Sequence, residues 1–199
     1  MLWLKSDRVI VYDRAATKTD GRFKRFWLQA AAPFEVTGTR AIARTPGGQQ
    51  LISSTLLPDG ATIVASDDEP DAGDPAKGEP MKYRVMVEAT GAPKSARFLH
   101  VVQGADGGAT PDAVTLVRST AGTGYEGAAV AGTAVVFPVD LGQEVSNTTL
   151  KVPQGVSRLL ITGLAKNAGY GVDKQGDTIA VSSGGDTTTD GGGVLSVSV

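Results

Sequence analysis

The stretch Asp7-Arg8-Val9-Ile10-Val11-Tyr12-Asp13-Arg14, followed after a polar, glycine-containing turn by Arg22-Phe23-Lys24-Arg25-Phe26-Trp27-Leu28, decides the fold. Val9, Val11 and Asp13 fall on one side of an extended chain and Ile10 and Tyr12 on the other, which is the period of two that marks a strand. The two runs read as a hairpin. Further along, Val85 and Val87 alternate in the same way with Arg84, Met86 and Glu88. Short apolar runs separated by Gly, Pro, Asp and Asn place other strands at 35–44, 49–57, 62–66, 97–103, 113–119, 128–139, 148–152, 158–164, 178–182 and 194–199. No window keeps apolar residues at i, i+3, i+4 and i+7 without a breaking Gly or Pro. The expected fold is all-β, an antiparallel β-sandwich of roughly 12–14 strands with almost no helix.

With 199 residues, 41% of them apolar, the chain can bury one sizeable core, so a single domain over 1–199 is expected. A shift in composition after Pro138 marks a C-terminal sub-sheet, 139–199, within it. The 26 glycines and 10 prolines fit many turns. Residues 66–80 combine Asp67, Asp68, Glu69, Asp71 and Asp74 with three prolines, which cannot donate to a sheet ladder, and should form a surface loop. No repeat of propeller or solenoid length stands out.

Nineteen basic and 21 acidic residues leave a net charge of −2, without the basic excess of a nucleic-acid binder. Arg8, Arg14, Lys18, Arg22, Lys24 and Arg25 nevertheless concentrate positive charge near the N-terminus. They read either as solvated outward positions of a hairpin or as a basic face for an anionic polysaccharide. The absence of cysteine removes disulfides, thiolate nucleophiles and cysteine metal sites. No apolar run reaches the ~18 residues of a membrane-spanning helix, so no membrane partner is expected. Met1-Leu2-Trp3-Leu4 is too short and soon too charged for a signal peptide, so the leader of an exported parent is expected upstream of this chain or already removed.

The single histidine, His100, lies between Leu99 and Val101 and reads as structural, because no G-x-S-x-G element accompanies it to build an acyl-transfer triad. One His and no Cys cannot make an ordinary zinc site. No cofactor is expected; oxygen-ligated calcium is the metal chemistry the composition leaves open, in the 67–74 cluster or around Asp186 and Asp190, and neither spacing is specific. The glycine-rich tract 184–193 leads into Val194-Leu195-Ser196-Val197 and lacks the Lys-Ser/Thr of a phosphate loop, so it reads as a turn. Carboxylate pairs for glycoside hydrolysis are too numerous among 21 acids to single one out.

Sugar recognition uses flat aromatic rings against the C–H face of a pyranose, with polar groups for the hydroxyls. The candidate carbohydrate-binding residues are Trp3, Trp27, Tyr125 and Tyr170, with Arg22 and Lys24 for negative charge. Trp27 follows Phe26 in a strand, so one of the two faces inward, and Trp27 is the one expected in the core. Tyr125, between Gly124 and Glu126, is expected to be exposed. Tyr170 reads equally as a corner tyrosine pinning a turn.

The opening runs, Gly48-Gln49-Gln50-Leu51 leading into Thr55-Leu56-Leu57-Pro58, Tyr83-Arg84-Val85 and Phe98-Leu99-His100-Val101-Val102-Gln103 together resemble the C-terminal β-domain of heparinase II/III-type polysaccharide lyases. The likeness continues loosely through Leu159 to Leu164 and Asp190 to Leu195. It implies a β-domain that normally follows an α-helical toroid, with most catalytic groups outside this chain. Where related lyases often carry a histidine after the strand equivalent to Lys24–Leu28, this chain has Gln29, so a structural metal site using that histidine would be lost. No catalytic residue carries over, because His100 or Tyr12 alone does not provide both a base and a group neutralising the uronate carboxylate.

The expected function is therefore a non-catalytic β-sandwich domain of a polysaccharide-lyase-like protein, supporting or binding acidic polysaccharide and secreted or periplasmic. The partners are a polysaccharide and a helical toroid domain. The alternatives are an autonomous carbohydrate-binding module, and a small β-sandwich glycan-degrading enzyme relying on His100 or Tyr12.

Overall fold

The computed structural model describes residues 1–4, 7–66, 82–142 and 145–199. The single domain expected over 1–199 is built as two compact units, Met1–Pro111 and Asp112–Val199. The all-β class is adopted, with no helix among the described residues. The first unit holds β1 (Leu2–Leu4), β2 (Arg8–Ala16), β3 (Arg25–Ala30), β4 (Phe34–Thr37), β5 (Arg40–Arg44), β6 (Gln49–Leu57), β7 (Thr62–Ser66), β8 (Tyr83–Glu88) and β9 (Ser95–Asp106). The second holds β10 (Val114–Gly122), β11 (Tyr125–Val130), β12 (Thr133–Pro138), β13 (Asn147–Lys151), β14 (Arg158–Ile161), β15 (Gly169–Gln175), β16 (Thr178–Ser183), β17 (Thr187–Thr188) and β18 (Leu195–Ser198). The acidic cluster Asp67 to Asp74 lies outside the described residues.

In the first unit a six-stranded sheet, in the order β1-β2-β9-β6-β5-β4, packs against a three-stranded sheet, β3-β8-β7. Phe34, Ala41 and Ala43 of the larger sheet meet Ala30 and Val85 of the smaller, and Phe98 and Ala96 meet Val87. Each large apolar side chain buried between the layers contributes about 1.5–3 kcal/mol. The opening runs are not a hairpin with each other. β2 pairs along its length with β9, from Arg8 opposite Gln103 to Ala16 opposite Ser95, whereas β3 pairs with β8. Residues 17–24 cross from one layer to the other, tied at Thr17 N–H to Lys94 O (3.0 Å) and Gly21 N–H to Ala92 O (3.2 Å).

The second unit is one nine-stranded sheet, β17-β15-β16-β13-β10-β11-β12-β14-β18, curled around a common core that includes Val117, Tyr125, Val136, Leu150, Leu159, Ile161, Ile179 and Leu195. The turn of the sheet is made by β10. Its first half, Val114 to Arg118, pairs with β11, and after an irregularity between Ser119 and Ala121 its second half pairs with β13. Bulges of this kind bend a strand from one layer into another. Residues 139–199 thus complete a sheet begun at Val114 and do not form one of their own. The unit's described strand ladders are antiparallel except that of β12 with β14, which is parallel, as is the single bridge of Tyr170 with Gly184.

The glycine-rich tract 184–193 turns on either side of the short strand β17, and its glycines are required there for steric reasons. A Cβ on Gly193 would lie 2.3 Å from the Leu164 carbonyl oxygen, and one on Gly185 2.5 Å from the Gly171 nitrogen. Asp190 organises the end of the tract, its Oδ1 accepting the N–H groups of Gly192 (2.8 Å) and Val194 (2.9 Å). Asp190→Ala is expected to lower unfolding free energy by about 1 kcal/mol, measured by urea denaturation, while Asp190→Asn, which keeps the acceptor oxygen, should lose less.

Candidate functional site

Strand register builds the site on the outer face of β3-β8-β7. Because Phe26 and Leu28 pack inward, Arg25, Trp27 and Gln29 point out; β8 presents Arg84, Met86 and Glu88, and β7 presents Thr62, Val64 and Ser66. Pairing aligns these into three rows: Arg25–Glu88–Thr62, Trp27–Met86–Val64 and Gln29–Arg84–Ser66. The middle row is an apolar band across the sheet, with Trp27 42% and Val64 47% exposed.

The flanking rows supply charge and hydrogen-bonding groups. The Arg84 guanidinium stacks over the Trp27 ring, 4.6 Å from its centroid, and its Nε donates to Ser66 Oγ at 3.3 Å. On the other side Arg25 Nε donates to Glu88 Oε2 at 3.0 Å, and the same guanidinium lies 4.3 Å from the ring of Phe23, which is 62% exposed. Aromatic faces and guanidinium groups therefore alternate along this surface. Stacking holds an arginine plane in a fixed orientation, and the guanidinium fork matches a carboxylate or sulfate.

Of the expected candidates, Trp27 belongs to this face, opposite to the core position expected for it. Phe26 takes the inward place because its ring stacks on His100, with centroids 4.0 Å apart. Arg22 is exposed just before β3. Lys24 is 3% exposed, its ammonium donating to the Arg22 carbonyl at 2.6 Å, so it is a structural cation. Trp3 is exposed on β1, in the other sheet of the unit. Tyr125 is buried, contrary to the loop-like look of its flanks, because β11 is paired on both sides; its hydroxyl donates to Thr162 O at 3.2 Å. Burial, with Tyr170 nearby, raises its phenol above the usual range. Tyr170 is also buried, and its hydroxyl accepts the Ala165 N–H at 3.1 Å, the turn-pinning arrangement. Arg84, Met86, Glu88 and Val64 are the members of the face that strand patterning alone did not nominate.

His100 has no exposed surface, and its Nδ1 lies 3.1 Å from Thr55 Oγ1. Tyr12 is buried on the opposite face of the same sheet, since the residue aligned with His100 is Val11. A cleft of about 610 Å³ in the second unit, beside Tyr170, is lined among the described residues by Gly142, Gly163, Gly169 and Gly184 with apolar and hydroxyl side chains such as Val145, Leu164 and Ser146. Among the described residues no group of three or more His, Cys, Asp or Glu is placed to hold a metal ion.

No family model matches the chain, and no curated protein matches it.

Proposed function

We propose that the chain is a non-catalytic β-module of a heparinase II/III-like, secreted or periplasmic protein that binds acidic polysaccharide on the outer face of β3-β8-β7. The observation that carries this reading is the exposed Trp27 ring with the Arg84 guanidinium stacked upon it. A pyranose needs an apolar platform, and its carboxylate needs a fixed cation beside that platform. His100 and Tyr12, buried on opposite faces of one sheet, offer no base paired with a carboxylate-neutralising group, which supports a binding role over turnover.

The test is to pass the protein over immobilised acidic and neutral polysaccharides while following absorbance from unsaturated uronate products in the same samples. Retention on acidic polymers without absorbance is expected. Trp27→Ala should weaken retention by about 2 kcal/mol, roughly 30-fold, as removal of a central aromatic anchor does. New absorbance would establish turnover and overturn the non-catalytic reading.

A second reading is favoured by the apolar row itself. Trp27, Met86 and Val64, with Phe23 beside them, form the kind of exposed patch on which a helical toroid domain could dock. Absence of retention on every polysaccharide would select this supporting role.

A further inference from the structure

Resting on the glycan-binding reading, we infer that Phe23 is a second platform for the same sugar chain, and that the buried Lys24 is the positioning residue that holds it there. The alternation of β3 runs on ahead of its first residue. Phe23, Arg25 and Trp27 are exposed, while Lys24 and Phe26 turn inward. Phe23 therefore lies on the side of the sheet that carries Trp27, at the end remote from Ser66. The chain on either side of it is fastened. The Lys24 ammonium donates to the Arg22 carbonyl at 2.6 Å, and the Lys24 carbonyl accepts the Ala89 N–H at 3.0 Å, continuing the ladder of β3 with β8. Lys24 is 3% exposed, and a lysine is rarely buried so deeply. Desolvation of that ammonium costs stability, and what it fixes in place is an exposed aromatic side chain. Local choices that work against stability in this way mark functional positions.

The Phe23 ring is also steadied from one side by the Arg25 guanidinium, 4.3 Å from its centroid. Arg25 and Glu88, joined at 3.0 Å, place a donor and an acceptor beside that ring for the hydroxyls of a pyranose stacked on it. Phe23 and Trp27 are four residues apart, which on an extended chain separates their Cα atoms by about 13 Å. The two sugars of a disaccharide do not span both rings; a longer chain does. Its second contact is intramolecular, so the pair of platforms favours polymer over short fragments. Holding Phe23 in place beforehand removes an ordering cost from binding.

The experiment measures dissociation constants of the wild type, Phe23→Ala, Lys24→Met and the double variant for a galacturonate dimer and a galacturonate decamer. Lys24→Met keeps the buried stem and removes the ammonium, and circular dichroism checks that each protein is folded. Phe23→Ala should weaken decamer binding by about tenfold, with less than about a twofold change on the dimer. Lys24→Met should weaken decamer binding by about fivefold and add nothing in the Phe23→Ala background, because it acts through that ring. Decamer binding unchanged by Phe23→Ala, or an equal loss on both ligands, overturns the second platform. No loss from Lys24→Met, or an additive loss in the double variant, overturns the role of Lys24. The glycan-binding reading stands in either case. Failure of the wild type to bind the decamer overturns this inference, and failure on dextran sulfate as well overturns the glycan-binding reading with it.

Discussion

Gly127→Ala is expected to remove about 4 kcal/mol or more from the stability of Asp112–Val199, enough to leave it largely unfolded at 37 °C. Gly127 lies in β11, opposite Val136 of β12, and a Cβ added there would sit 1.8 Å from the Val135 carbonyl oxygen and 2.6 Å from the Val136 Cα. Neither is the tip of a flexible side chain. The hydrogen-bonded ladder of β11 with β12 would have to open, and β12 in turn carries β14. Gly124→Ala is the control in the same hairpin. Its Cβ would meet only the Val139 side chain at 3.4 Å, so a change within about 1 kcal/mol is expected. Urea unfolding followed by circular dichroism distinguishes the two, and wild-type stability for Gly127→Ala would refute the close-approach argument.

Acidification should produce the second large effect, through His100. Burial pushes its imidazole down from 6.5 to about 4, because the charged form would be stripped of water. Its Nε2 has no hydrogen-bond partner among the described residues, and its neighbours are Val11 and Thr55 alongside and Phe26 stacked on the ring. The folded state therefore resists the proton that the unfolded chain accepts. Stability from this group is complete above about pH 6.5, falls by up to about 1.4 kcal/mol per pH unit, and levels off near pH 4, a loss of about 3 kcal/mol in all. Carboxylates contribute to acid unfolding in the same range, so the informative quantity is the difference from His100→Leu. Between pH 7.5 and 4 the unfolding free energy of the wild type should fall by about 3 kcal/mol more than that of the variant if His100 titrates as described; parallel curves would reject the mechanism.

The all-β class was legible because period-two alternation marks strands such as β2, β3, β8 and β18, and short apolar runs bounded by turn residues mark continuously buried ones such as β11, β12 and β14. Pairing was not. The turn at Ala131-Gly132 places both residues at positive φ, 48° and 76°, the geometry of a tight hairpin, but alanine replaces the asparagine that usually announces it. The run 128–139 therefore reads as one strand and folds as two, and the turn at Gly38 divides 35–44 in the same way. The candidate face was half legible. Alternation in 83–88 showed that Arg84, Met86 and Glu88 share a side, but nothing local says that this side continues onto Trp27, since that register joins segments more than fifty residues apart. Trp27 and Tyr125 exchanged their expected environments for related reasons. Parity in β3 is decided by the contact of Phe26 with His100, and burial of Tyr125 by strands on both sides, neither of which is written in the flanking residues.

The double allegiance of β10 has a consequence for how the second unit comes apart. Among the described residues, β11, β12, β14 and β18 on one side and β13, β16, β15 and β17 on the other are joined in the hydrogen-bonded ladder only through the two halves of this strand. Fraying can therefore begin at the short outer strands β17 and β18, but it cannot travel past Ser119 without releasing both halves together. Asp112–Val199 is in this respect a single cooperative block, whose slowest-exchanging amides belong on β10 and its two neighbours.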